Sequence, residues 1–156
     1  MDAIVLTIVT GLVATAAMSA LLYLIHWRGF ANADMIRAIG SIVTRNETNA
    51  LWPGMLVHFG SGVIFAFLYV GFWSTLPVSA LKYVVGLGAL MGVAHGLVVS
   101  FMLVILVAEH HPIVRFQQAG MGVAISHLLA HVVYGLVIGL MGAWLGLRLG
   151  FMPQLL

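Results

Sequence analysis

Four long apolar runs dominate this chain and leave it few ways to fold. They cover about Ala3 to Ile25, Pro53 to Trp73, Leu81 to Ala108 and Ala119 to Leu149, with Lys82 and Arg148 the only Lys, Arg, Asp or Glu inside them. About 20 apolar residues at 1.5 Å each cross the hydrocarbon core of a bilayer. Each run is therefore expected to be a transmembrane helix. Strands are not expected, because nothing alternates with period two and a membrane barrel needs more strands than the chain can supply. Pro53 suits a first helical turn, and Pro112, after "EHH", ends the third run. The fold class expected is all-α: one integral membrane domain over residues 1–156, a four-helix bundle.

Composition agrees. Of 156 residues, 63% are hydrophobic and 6% charged, against about 25% charged in a soluble domain. So little charge cannot cover a water-facing surface. The net charge of +2 comes from a handful of groups and does not point to nucleic acid. The absence of cysteine excludes disulfides, thiolate metal sites, iron–sulfur clusters and a cysteine nucleophile. Asp2 stands where a signal peptide would be basic, and the first run is long for one, so it is read as a retained helix.

The loops carry further signals. Trp27 and Trp52 flank the first, and Trp73 and Tyr83 the second, as interfacial anchors would. Within the first loop, Met35, Ile36, Ile39, Ile42 and Val43 form a helical stripe with Arg37, Ser41 and Arg45 opposite. That pattern predicts a short helix lying in the interface. Loops one and three hold Arg28, Arg37, Arg45 and Arg115, against Lys82 and Arg148 on the other side. The positive-inside rule then places both loops in the cytoplasm and both termini outside.

Small residues recur every four positions: Gly11, Thr15 and Ser19; Gly88, Gly92, Gly96 and Ser100; Gly135, Gly139 and Ala143; Gly142, Gly146 and Gly150. Such ridges let helices approach closely in lipid. Their number is more than one bundle obviously needs, so some are expected to face another subunit.

The segment "SHLLAHVVYG" places His127, His131 and Tyr134 on one helix face inside the last run. All seven histidines fall in one half of an up-down bundle. His26, His110 and His111, with Glu109, sit at its mouth. By helical rise, His58 lies roughly 8 Å in, His127 roughly 13 Å, and His95 and His131 both roughly 20 Å. On the third run, Met91, His95, Met102 and Glu109 fall on one line at 100° per residue. A single membrane histidine is ordinarily a hydrogen-bonding group between helices. Four in one half of a bundle point to a use.

Three uses fit. Imidazole ligates copper, iron and zinc, and His58, His95, His127 and His131 are the ligand candidates. Haem b is a second option, with His58 and either His127 or His131 as axial ligands. The third needs no cofactor: the histidines and Tyr134 pass protons or bind a quinone head group. Glu109, His110 and His111 would form the mouth or a relay. Carboxylates are too few for a ferritin-type di-iron site.

"EHH" and "HLLAH" are similar in pattern to the histidine boxes of membrane desaturases and alkane hydroxylases, but the boxes here are incomplete. The segments "GLVATAAMSALL", "WPGMLVHFGSGVIFAFLY", "AEHHPIVRFQQAG" and "HLLAHVVYGLVIG" give a layout that resembles a family of small four-helix bacterial membrane proteins carrying a domain of unknown function. The resemblance implies a bacterial inner-membrane protein and no particular reaction. Two functions follow. One is a metal or haem protein in a redox or transport process. The other is a non-catalytic accessory subunit, or a homo-oligomer, that packs its glycine ridges against a membrane partner. The residues leave open whether the protein is an enzyme.

Overall fold

The computed structural model describes residues 3–76 and 81–148. Asp2 and Gly150 of the reading above lie outside this set, as do the last residue of the fourth run and the side chains of 145–148. Among the described residues there is no strand. The helices are α1 (Ala3–Trp27), α2 (Met35–Thr44), α3 (Leu51–Ser74), α4 (Leu81–His110), α5 (Val114–Gln117) and α6 (Met121–Arg148). Four of them, α1, α3, α4 and α6, are long and apolar enough to span a membrane. The chain is a multi-pass membrane protein, and its exposed side chains along these helices are overwhelmingly aliphatic and aromatic.

Local chemistry sets the ends. Pro53 sits in the first turn of α3, where its missing N–H costs nothing. His111, just before Pro112, is extended (φ −67°, ψ 134°) and stops α4. Asp34 caps α2 by accepting the Arg37 N–H, and Arg45 closes it in the left-handed conformation.

The bundle is not a closed ring. α6 packs intimately along α4, and α1 packs against both α6 and α3, whereas α3 scarcely touches α4 or α6. The α4–α6 contact is a glycine seam. A Cβ on Gly135 would overlap the Gly88 carbonyl, and one on Gly92 would strike the His131 carbonyl. The Gly11 and Thr15 ridge of α1 lies against Gly62, Val63 and Ala66 of α3. Gly142 sits under the Trp73 ring. These glycines are thus used in contacts inside one chain. Trp73 is likewise buried, not an interfacial anchor, while Trp27, Trp52 and Tyr83 are exposed.

Two other expectations change. Within α4, Met102–Val107 is a π-helix. Its wider turns carry later residues off the line drawn at 100° per residue. Glu109 accordingly points outward and is exposed. In α2, Ser41 is fully buried, because Gly40 lets the helix lie directly on the Ala50 and Gly54 backbone at the start of α3. The α2 helix therefore packs on protein along that side.

Gly135→Ala is expected to lower stability by about 1–3 kcal/mol through overpacking. Gly86→Ala, where a Cβ meets nothing within 4 Å, should change it by less than about 0.5 kcal/mol. Unfolding in mixed micelles compares the two; equal effects would contradict the seam.

Candidate functional site

The open side of the bundle holds a cavity of about 260 Å³. His58 from α3, His95 from α4, and His131 and Tyr134 from α6 all line it, with Ser61, Met18, Val99 and Leu103. The rings meet across the gap between α3 and α4. His95 stacks on Phe65 of α3 with centroids 4.0 Å apart and meets His131 edge-on at 4.4 Å. The expectation that His95 and His131 lie level is met.

Each ring is oriented by a specific partner. His131 Nδ1 lies 2.7 Å from the His127 carbonyl, and His127 Nδ1 lies 2.8 Å from the Val123 carbonyl. A carbonyl only accepts, so both Nδ1 atoms carry hydrogen and each neutral ring keeps its lone pair on Nε2. His58 Nε2 lies 2.9 Å from Ser19 Oγ, whose own hydrogen goes to the Thr15 carbonyl at 2.7 Å. His58 therefore donates from Nε2 and keeps its lone pair on Nδ1. Tyr69 Oη lies 3.4 Å from His95 Nδ1. Donation by that hydroxyl would leave the His95 hydrogen on Nε2, and the reverse bond would leave a lone pair there. Tyr134 donates to the Gly62 carbonyl at 2.5 Å and packs edge-on to Tyr69.

The structure divides the predicted set. His58, His95, His131 and Tyr134 come together. His127 lines a different chamber of about 110 Å³, beside His111, Asn32 and Asp34. Each ring leans back onto the carbonyl four residues before it, and in this helix the two rings line different spaces. Among the described residues, no three histidine or acidic side chains gather closely enough to hold a metal ion. Of the four histidines, His58, His95 and His131 line one cavity and His127 the other; of the two axial pairs, His58 and His131 face the same cavity, whereas His58 and His127 line different ones. Glu109 and His110 are exposed at the end of α4. His111, expected at the interface, is buried: its Nδ1 accepts the Ile113 N–H at 3.1 Å and its Nε2 donates to the Ala38 carbonyl at 3.0 Å.

Sequence reasoning missed Phe65 and Tyr69. With Ser61 and Gly62 they stand 3, 4, 7 and 11 residues beyond His58, which is one helical face and a legible signal. Ser19 belongs to the small-residue ridge of the first run, and its pairing with His58 needs the tertiary fold.

Ser19→Ala removes the acceptor of the His58 Nε2 hydrogen. An expected loss of about 0.6–1.7 kcal/mol follows from the worth of such bonds in membranes, read as a shift in mixed-micelle unfolding. No shift would mean that His58 is held by something else.

A family model described as a family of unknown function, DUF6789, matches residues 1–150, and the chain belongs to that family. No curated protein and no solved structure matches it.

Proposed function

We propose that this DUF6789 protein binds the head group of a lipophilic, hydrogen-bonding molecule of the quinone and quinol class, within a redox or transport process. The observation that carries the reading is the partly open cavity between two splayed helices, lined by three imidazoles, each of which is held through one ring nitrogen among the described residues and has the other to offer. With the Tyr69 hydroxyl donating to Nδ1, His95 offers an Nε2 hydrogen to a ligand carbonyl. His131 Nε2 and His58 Nδ1 offer lone pairs to a ligand hydroxyl. A quinone presents carbonyls and a quinol presents hydroxyls, so one cavity suits both forms. The walls, Met18, Val99, Leu103 and Phe65, are apolar and match a ring. A mostly apolar pocket with a few placed polar groups is the usual form of a small-molecule site. Entry between α3 and α4 leaves an apolar tail in the lipid.

Among the described residues no three histidine or acidic side chains gather as a ligand group, which favours this reading over a resident metal. The excess of basic residues on loops one and three supports an inner-membrane protein with those loops in the cytoplasm.

The test is equilibrium binding of a short-tailed quinone and its quinol to the protein purified in mild detergent, with mass spectrometry of the extracted lipid. Saturable binding is expected, weakened about tenfold by His131→Ala, a change of roughly 1.4 kcal/mol. His127→Ala, in the other chamber, should change it less than twofold. Absence of saturable binding, or equal loss in both variants, would sink the idea. A Soret band or stoichiometric copper, iron or zinc lost in His131→Ala would replace it with the haem or metal reading. A stoichiometric protein partner without bound ligand would favour the accessory subunit.

A further inference from the structure

The α2 helix lies over the end of the bundle where the histidines are. Its Met35 and Ile39 line the inner cavity together with His58 and His131. On its outer side, Asp34, Met35 and Ile36 line a chamber of about 60 Å³ with Ser19, His26 and His58. His58 is thus common to both spaces, and its Nε2 is held by Ser19 of the outer one.

Loop three fastens α2 at several points. Arg115 pairs with Asp34, the N-cap of α2, at 2.6 Å, and with Glu47, just beyond its C-terminus, at 2.5 Å. The Arg115 carbonyl accepts from Asn32 at 3.1 Å. His111 donates to the Ala38 carbonyl in the middle of α2. A single arginine bridging both ends of a ten-residue helix is a latch. Such partly exposed pairs are individually weak, so a helix held this way is releasable.

We infer that the face formed by loops one and three carries a water and proton route to the inner cavity, that the route runs past His58, and that α2 closes it with Arg115 as the latch. The groups around His58 suit proton exchange: Ser19 and His26 on α1, Asp34 beside α2, His95 on α4, and His127, His131 and Tyr134 on α6. A proton taken up at His58 Nδ1 and one released from Nε2 to water in the outer chamber, with the Ser19 hydroxyl turning to donate to the freed Nε2, leave the ring neutral in its other tautomer and move one proton between the two spaces. The route stands on the α2 contacts and does not depend on which ligand occupies the inner cavity.

The chain has no cysteine, so a single introduced thiol reports access directly. Ser61 lines the inner cavity, and Thr48 is exposed on loop one. In nanodiscs, a charged methanethiosulfonate should modify Ser61→Cys at least tenfold more slowly than Thr48→Cys. Arg115→Ala should raise the Ser61→Cys rate about tenfold and leave the Thr48→Cys rate unchanged. Asp34→Asn with Glu47→Gln breaks the same latch from the other side and serves if Arg115→Ala does not fold. Adding His58→Phe to the unlatched protein should slow modification at least threefold. A Ser61→Cys rate equal to that of Thr48→Cys with the latch intact overturns the lid. A rate that neither latch variant moves overturns the role of Arg115, and indifference to His58→Phe overturns the path.

Discussion

An imidazole within hydrocarbon is oriented by the hydrogen-bond partner it finds inside the protein, and the arrangement of this bundle follows from that constraint. Lipid tails supply no hydrogen bonds, and an unsatisfied polar group facing them costs several kcal/mol. Here His127 and His131 spend their hydrogens on carbonyls of their own helix. His58 spends its hydrogen on Ser19 of α1, and that bond ties α3 to α1. Each commitment leaves the other ring nitrogen in a defined state. The rings become oriented donors and acceptors, not interchangeable polar spots.

Close packing elsewhere makes the opening possible. The α4–α6 seam brings backbones together through Gly88, Gly92 and Gly135, where no side chain larger than hydrogen fits. The α1–α3 contact uses Gly11 and Gly62 in the same way. Two tight pairs joined through α1 and α6 leave α3 and α4 apart, bridged by Phe65 and Tyr69 reaching His95. The cavity exists because small residues lie on two seams and aromatic residues lie at the third. The aromatics hold the gap open as much as they fill it.

The polar end is built on another principle. Asp34 and Glu47 are two of the four acidic residues in the chain, and both pair with Arg115. Charge is concentrated where it fastens loop three to loop one. The buried His111 adds a neutral bond at the centre of the same contact. This end is therefore more ordered than its loop-like sequence implies, and the inner cavity takes part of its roof from it.

Much of the fold was legible because its cause is local. Runs of about 20 uncharged residues must span, Pro53 and Pro112 mark ends, and the stripe in the first loop gives the short helix. Helical rise was enough to put His95 level with His131. The grouping of the histidines was not legible, since rings four residues apart each turn to their own carbonyl and the π-helix in α4 breaks the register that carried Glu109. Which ridges meet, and so which pair of helices stays open, was also beyond the sequence. The sequence by itself determined a four-span helical membrane protein with its imidazoles in one half, because length and hydropathy act residue by residue. Only the tertiary structure decided that His58, His95 and His131 share a cavity and His127 lines another, because that depends on which backbones glycine allows to touch.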